Sequence, residues 1–292
     1  MTLYNNAACL PQAIESLLAQ THSEFRLVVV DDGSADDVRA IMQEYLARDG
    51  RISYFRNEER QGMVASWRRA FSEADRDRMD YFAWASDHDV WHPRWLETLA
   101  QVLDENPQVV MAYPLTVRIS DAGENLHAPS RKFETFGLDV GERIRVLQRA
   151  VRGFGNMIYG LFRAESLRRA GVFRRVLLPD TLLLWELTLQ GSFKQAGEEL
   201  WFRRYTGLVS IERQKRTLFV DPPWYLRLPY PMVNAASLAW NTALRPGAGR
   251  VSQRCMGGFL ALMFLYRHVP YNPVRWLKRW LSRVGRRGMS RP

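Results

Sequence analysis

Short apolar runs and longer stretches with a helical period take turns along the first 120 residues. Apolar, often β-branched runs predict buried strands at 26–30, 51–56, 80–85 and 109–117. Apolar residues three or four positions apart predict helices at 8–21, 35–48, 62–74 and 93–105. We expect Pro93 to open the last of these helices. This alternation predicts an α/β fold with a mostly parallel sheet flanked by helices.

The first strand of this predicted sheet is truncated. Only Thr2-Leu3-Tyr4 precedes the helix at 8–21, which leaves room for a stub. We therefore expect a form of the chain extended upstream of Met1 to be more stable. The second half is less regular, with helices predicted at 139–152 and 180–191 and a strand at 199–206.

Charge divides the chain into two predicted domains, 1–221 and 222–292. The 292 residues carry a net charge of +10, yet residues 222–292 contain 12 Lys and Arg and no Asp or Glu. A nucleic-acid binder would spread its basic residues more widely, so no nucleic-acid partner is predicted. We predict that 222–292 is a basic, aromatic, helical extension.

Within this extension, residues 275–287 have the pattern of an amphipathic helix. Trp276 and Trp280 lie four apart, and six Lys and Arg residues cover the remaining faces. Such a helix favours an anionic membrane surface, although packing against the rest of the protein would also suit it. No secretory signal and no spanning segment is evident. We expect a cytoplasmic protein that is peripheral at the inner membrane face.

Several kinds of site are excluded by residue content. Cys9 and Cys255 are the two cysteines, so a disulfide framework and a cysteine-based metal cluster are excluded. The HExxH, CxxC and GxxxxGK[ST] patterns are absent.

Two acidic clusters follow predicted strands. Asp31-Asp32-Gly33-Ser34 follows the strand at 26–30, and Asp87-His88-Asp89 follows the strand at 80–85. Ligands of such sheets bind beyond the carboxyl ends of the strands. Asp87 and Asp89 can hold Mg²⁺ or Mn²⁺ between them, although short acidic turns are common. Asp31 and Asp32 suit a helix cap, and the acid that the cap does not use could accept a nucleobase or ribose hydrogen bond.

Asp180 is a third candidate. It follows Pro179 and begins the predicted helix at 180–191. Its carboxylate suits either an N-cap or a general base that removes a proton from an acceptor hydroxyl. We leave His88 without a role and expect it at the surface.

These segments, in this order, resemble the family 2 glycosyltransferases of the GT-A fold. The resemblance covers about residues 3–206. It rests on YNNAACLPQAIESLLAQTHSEFRLVVVDDGSADD from Tyr4, on Gly62, on SDHDVWHPRWLE at 86–97 and on the helix at 180–191. It implies a GT-A fold, a Rossmann-like sheet with flanking helices, for the catalytic domain at 1–221.

The resemblance also implies an activity, an inverting transfer of a sugar from a nucleoside-diphosphate sugar to an acceptor hydroxyl. A divalent ion, Mg²⁺ or Mn²⁺, would be held by Asp87 and Asp89, and Asp180 would be the base. The nucleotide-binding residues that it implies are Leu3, Tyr4, Asn5, Asp31, Arg56 and Asp87. A glycan or a lipid-linked acceptor would place the enzyme in surface polysaccharide, glycolipid or glycan biosynthesis.

Two other functions stay open. One is a related nucleotidyltransferase, although the Gly-rich basic loop that such enzymes carry near the start is absent. The other is a degenerate transferase that serves as a membrane-associated binding module. The short first strand is compatible with such a module. Two departures from the family pattern are also compatible with it: Trp67 stands where the family usually has Asn, and Pro179 stands where it usually has an acid.

Overall fold

Three parallel strands form the first sheet. The computed structural model describes residues 1–127, 132–149, 154–205, 211–246 and 250–268. Strands β1 (Thr2–Leu3), β2 (Leu27–Asp31) and β3 (Ile52–Arg56) lie side by side in that order. All five residues of β2 are buried, as expected for a β-branched run covered on both faces. β1 is as short as predicted, with two residues in register with the end of β2.

Helices follow each strand of this sheet. They are α1 (Leu10–Leu18), α2 (Val38–Arg48) and α3 (Met63–Ala74). Gly62 precedes α3 with φ of +90°, and a Cβ there would lie 2.7 Å from the Leu218 carbonyl oxygen. A residue with a side chain would be strained at this position, which explains why the chain has glycine there.

The second sheet has mixed strand directions. Its members are β4 (Tyr81–Ala83), β5 (Val90–Trp91), β6 (Val109–Ile119), β7 (Leu161–Arg163) and β8 (Ser192–Arg204). They lie in the order β4-β7-β6-β8-β5, and only the β6–β8 pair is parallel. The mostly parallel arrangement therefore holds for the first sheet but not for this one. The strand predicted at 199–206 begins earlier, at Ser192, because it pairs along most of β6.

Two predicted helix starts need correction. Helix α4 spans Trp95–Glu105, and Pro93 lies in the turn before it. The carbonyl oxygen of Pro93 accepts a hydrogen bond from the Thr21 backbone N–H at 2.9 Å, which holds this turn against the end of α1. The helix predicted at 180–191 spans Pro179–Thr188 instead, with Pro179 in its first turn.

The chain separates into two compact units, Met1–Leu138 with Arg152–Pro222, and Asp139–Val151 with Pro223–Pro292. The remaining helices of the first unit are α6 (Ala164–Ala170), α7 (Pro179–Thr188) and α8 (Ile211–Leu218). The second unit holds α5 (Val140–Arg149), α9 (Tyr230–Ala239), a π-helical turn at Trp240–Leu244, and α10 (Val251–His268).

Residues 139–151 group with the C-terminal unit, although the sequence analysis placed them in the domain at 1–221. Ile144 and Leu147 of α5 are buried, and Arg267 of α10 donates a hydrogen bond to the Gln148 carbonyl oxygen. Helical periodicity shows which face of α5 is apolar but not which element covers it. The segment predicted at 275–287 lies outside the described residues. None of the described helices is long and apolar enough to cross a membrane.

Candidate active site

The carboxyl ends of the first three strands bring three predicted site residues side by side. Leu3 is in register with Asp31, and Asp31 is in register with Arg56. The Leu3 carbonyl oxygen accepts a hydrogen bond from the Asp32 backbone N–H at 2.9 Å, and its side chain is buried. The carboxyl edge of the first sheet, where a ligand was expected to bind, therefore carries the Asp31 carboxylate beside the Arg56 guanidinium.

Asp31 is fully buried and its carboxylate is fully engaged. One oxygen, Oδ1, accepts a hydrogen bond from the Ser34 N–H at 2.8 Å. The other, Oδ2, accepts from the Tyr54 hydroxyl and from Arg56 Nη1, both at 2.6 Å. Burial acts to raise the pKa of Asp31, but the donors Tyr54 and Ser34 and the Arg56 charge outweigh it and hold that pKa below its usual range.

Asp32 does a different task. Its carboxylate accepts hydrogen bonds from the backbone N–H groups of Gln61 and Gly62, at 2.8 and 2.9 Å, at the start of α3. It also accepts from Ser66 Oγ and Asn57 Nδ2. Neither acid caps the helix that directly follows them, as the sequence analysis had weighed, because α2 begins after Asp37 without a side-chain cap. Asp32 therefore caps α3, whose N-cap residue Gly62 lies 30 positions further along the chain.

Tyr4 and Asn5 lie beyond the end of β1. The ring of Tyr4 is 43% exposed and has the Arg60 guanidinium 4.5 Å from its centroid. Asn5 has a φ of +51°, and its Oδ1 accepts a hydrogen bond from the Ala35 N–H at 2.7 Å. The structure thus ties this segment to the loop that follows β2, with an aromatic ring left open to a ligand.

Asp89 is held by strand β8. It is 1% exposed. Its Oδ2 accepts a hydrogen bond from Trp201 Nε1 at 3.1 Å, and its Oδ1 accepts from the Arg204 N–H at 2.9 Å. Both donors are neutral groups, and the nearest cationic partner among the described residues is the His88 ring, whose Nε2 lies 3.8 Å from Asp89 Oδ1.

The two residues before Asp89 form a pair. His88 Nδ1 lies 2.7 Å from Asp87 Oδ1, and the His88 side chain is 36% exposed. The surface position expected for His88 is therefore wrong in part, because the ring is half-buried. Burial acts to lower the pKa of His88, but the hydrogen bond to Asp87 and the charges of Asp89 and Asp87 outweigh it and raise that pKa.

Asp180 lies in the first turn of α7. The N-cap position is Leu178, so of the two roles weighed for Asp180 the N-cap is wrong. Its Oδ1 is buried and has no hydrogen-bond partner among the described residues. Burial raises the pKa of Asp180, against the effect of the Thr181 and Asp180 N–H groups and of the Arg203 charge. A carboxylate in this state is suited to accept a proton.

Tyr159 and Arg203, which sequence reasoning missed, interact electrostatically with these acids. Burial and the charges of Asp89, Asp180 and Asp87 raise the pKa of Tyr159, whereas the Arg203 charge acts to lower it. The acids on two separate segments therefore face one region that also contains a phenol and a guanidinium. Tyr159 precedes β7 in an irregular stretch with no periodic signal, and Arg203 stood in the sequence as one more basic residue on a strand.

The acids Asp87 and Asp89 fit a divalent cation by the chemistry of their oxygen donors. Mg²⁺ and Mn²⁺ take such ligands and keep positions for water and phosphate oxygens. Within the described ranges, no group of three or more His, Cys, Asp or Glu side chains is arranged to hold a metal ion. A site at Asp87 and Asp89 would therefore need oxygens from a bound ligand to complete it.

Comparison with known proteins agrees with this arrangement. The model of Glycosyl transferase family 2 matches residues 1–163. An uncharacterized protein of Mycobacterium tuberculosis is 29% identical over 264 residues, which are 82% of this chain and 79% of that protein. An uncharacterized glycosyltransferase of Nostoc sp. is 32% identical over 116 residues, which are 39% of this chain and 34% of that protein. The chain thus spans about a third of the Nostoc relative.

Solved structures show the same fold. The structure of S. aureus TarS 1-349 in complex with UDP-GlcNAc has a TM-score of 0.64 and 14% sequence identity, and the match covers 96% of this chain and 77% of that one. This likeness confirms the predicted fold class, the GT-A type of α/β fold. Since the family model matches more than half of the sequence, the chain belongs to glycosyl transferase family 2.

Proposed function

We propose that this protein transfers a sugar from a nucleoside-diphosphate sugar to an acceptor hydroxyl with inversion at the anomeric carbon. The observation that carries the proposal is the Asp180 side chain, whose Oδ1 is buried without a hydrogen-bond partner among the described residues. Its charge acts on Tyr159 together with the charges of Asp87 and Asp89. One acid is thus ready to take a proton, and two others lie where a diphosphate would depart.

Asp180 is the proposed general base. Its raised pKa makes it a better proton acceptor than an ordinary aspartate. It would remove the proton of the acceptor hydroxyl as the oxygen attacks the anomeric carbon from the face opposite the diphosphate. The unpartnered Oδ1 is the atom that is free to accept this proton.

The nucleoside would lie against the edge formed by Leu3, Tyr4, Asn5, Asp31 and Arg56. The Asp31 carboxylate already accepts hydrogen bonds from Tyr54, Ser34 and Arg56. A nucleobase that reaches this edge would therefore contact the guanidinium of Arg56, a side chain that is one-third exposed. Asp87 would contact ribose. Because TarS 1-349 binds UDP-GlcNAc in its structure, UDP-sugars are the first donors to test.

Asp87 and Asp89 would hold Mg²⁺ or Mn²⁺. When bound there, the ion supplies positive charge to the diphosphate as the sugar–phosphate bond breaks. The contribution of the protein is to fix Asp89 through Trp201 and Arg204, so that its oxygens are already oriented before the donor binds.

We further propose that the C-terminal unit attaches the enzyme to an anionic membrane at its cytoplasmic face, where a lipid-linked acceptor of surface polysaccharide or glycolipid synthesis would be available. Residues 275–287 carry this prediction and lie outside the described residues. Among the described ones, Met232, Ala236 and Trp240 form an exposed stripe four residues apart on α9 and the turn after it. Residues 222–268 contain five Arg residues and no Asp or Glu.

A donor screen tests the proposed function. Hydrolysis of common sugar nucleotides and binding of the matching nucleoside diphosphates would be measured with Mn²⁺ and with a chelator, for the unmutated protein and for Asp89→Ala. We expect one nucleotide to bind and its sugar donor to be hydrolysed in a manner that Asp89→Ala abolishes. If no nucleotide binds under either condition, the protein is a binding module and the transfer proposal is wrong.

A further inference from the structure

Arg203 lies on strand β8 beside the proposed active site, and no described residue forms an ion pair with its guanidinium. Strand β8 pairs with β5 in antiparallel register, with Val90 opposite Phe202 and Trp91 opposite Trp201. One step further along, this register places Arg203 across from Asp89. Side chains alternate between the two faces of a strand, so Arg203 shares a face with Trp201.

That face of β8 is the one that contacts Asp89. Trp201 donates its indole N–H to Asp89, and its ring lies 5.1 Å from the ring of Tyr159. The Arg203 guanidinium carbon lies 6.0 Å from the Trp201 ring centroid, at the outer limit of a cation–π contact. The charge of Arg203 also acts to lower the pKa of Asp180 and of Tyr159, in agreement with the position that the strand register gives it.

The next residue, Arg204, is an arginine with a structural role. Arg204 points to the other face, is buried, and donates from its guanidinium to the His88 carbonyl, to Gln12 Oε1 and to the Asp121 carbonyl. The Arg203 side chain is half-buried, and its guanidinium makes no hydrogen bond or ion pair with any residue that the structure describes. Asp89, the nearest candidate for an ion pair, already accepts from Trp201 and from the Arg204 backbone.

We propose that Arg203 binds the diphosphate of the donor and offsets the negative charge that grows on the departing nucleoside diphosphate. The inference rests on the proposed function and deepens it. In the reaction, the bond between the anomeric carbon and the phosphate oxygen breaks, and its electron pair leaves with that oxygen. The acceptor oxygen forms the new bond, and its proton passes to Asp180.

A guanidinium suits this task for two reasons. Its planar set of N–H donors matches phosphate oxygens and binds two of them at once. It also stays protonated throughout the pH range in which the enzyme works, so its positive charge is present when negative charge grows on the diphosphate. Since Arg203 is part of the chain, its contribution persists when divalent ions are removed, which separates it from the contribution of Asp87 and Asp89.

The test is calorimetric titration with the nucleoside diphosphate identified in the donor screen, and with its parent nucleoside, in Mn²⁺ and in chelator. The variants are Arg203→Met and Arg203→Lys, and the control is Arg39→Met, which removes an exposed charge from α2. We expect Arg203→Met to weaken diphosphate binding at least tenfold in both conditions and nucleoside binding less than twofold. Arg203→Lys should recover part of the loss.

The possible results separate the two proposals. Diphosphate binding by both Arg203 variants within twofold of the unmutated protein would overturn the role of Arg203 and leave the proposed function intact. An equal loss of nucleoside and diphosphate binding would also overturn it, because a purely structural defect would have that effect. Absence of diphosphate binding by the unmutated protein would overturn the proposed function and this inference with it.

Discussion

The hydroxyl of Tyr54 is one of three donors that hold the buried Asp31 carboxylate. Burial and the hydrogen bond to Asp31 raise the pKa of Tyr54 to about 12, so the phenol is a donor throughout the physiological range. Tyr54→Phe removes this bond and leaves a buried charge with one donor fewer. We expect the free energy of unfolding at pH 7 to fall by about 1–3 kcal/mol.

This loss should depend on pH. The folded-state pKa of Asp31 is lowered, so its ionised form stabilises the protein above the unfolded-state pKa of about 4, and this stability is lost as the pH falls through the lower folded-state value. Urea unfolding at pH 7 and at pH 3 would measure the difference between Tyr54→Phe and the unmutated chain. Tyr266→Phe, at an exposed position, is the control. A penalty that stays the same at both pH values would contradict this account.

Substitution of Asp180 should lower the activity and raise the stability of the protein. Asp180→Asn removes the proposed base, so we expect kcat to fall by about 10²–10⁴ while binding of nucleoside diphosphate is kept. The same change removes a buried charge with an unpartnered oxygen, so the melting temperature should rise. A melting temperature that falls together with the activity would indicate a structural role instead.

The pH profile of the unmutated enzyme gives a second measurement on Asp180. The base must be ionised to act, and its pKa is raised, so the acid limb of kcat should lie above the value of about 3.9 for an ordinary aspartate. A limb at or below that value would mean that another group is the base.

How far the sequence predicts such residues depends on how local their surroundings are. Asp31, Asp87 and Asp89 could be predicted as site candidates because each follows a strand within a few residues. The partners of these acids could not be predicted, since Trp201 and Arg204 lie more than 100 positions from Asp89. Arg203 became a candidate only when the pairing of β5 with β8 was known.

At the scale of elements, helix α10 contains a matched pair of glycines with opposite expected behaviour. A Cβ on Gly257 would lie 2.5 Å from Thr242 Oγ1 and from the Thr242 carbonyl oxygen, whereas a Cβ on Gly258 would meet nothing within 4 Å. We expect Gly257→Ala to destabilise the protein, because the backbone of the neighbouring turn must shift. Gly258→Ala should stabilise it by up to about 1 kcal/mol through helix propensity.

Thermal melts of the two variants beside the unmutated chain check this prediction. The comparison is internal, since both changes add one methyl group to neighbouring positions of one helix. Equal effects of the two substitutions would show that α10 does not pack closely on the turn at Trp240–Leu244.

Elements with a clear period were easier to predict than the way they pair. The strands at β2, β3 and β6 and the helices α1 to α4 were confirmed to within a few residues. The antiparallel pairs of the second sheet were missed, because an apolar run indicates burial but carries no information about the direction of its neighbour. The same limit applies to the early start of β8.

For the whole molecule, the uneven charge leads to a prediction about membrane binding. Deletion of 270–292 removes 7 of the 12 cations of the extension together with Trp276 and Trp280. Each cation near an anionic surface contributes about 1 kcal/mol, so the shortened chain should move from the membrane pellet to the soluble fraction.

Sedimentation with vesicles measures this partitioning directly. Vesicles rich in anionic lipid should carry the full chain down, and vesicles of neutral lipid should leave it in solution. If the full and the shortened chains distribute alike, the extension does not act as a membrane anchor.

The position of Trp201 makes the protein its own reporter. Its indole donates to Asp89 and lies close to Tyr159 and Arg203, so a donor that enters among these residues changes the surroundings of the ring. The emission spectrum of the unlabelled enzyme should therefore shift as ligand is added. Trp201→Phe identifies the source of that signal, so the occupancy of the proposed donor site can be followed by fluorescence in real time.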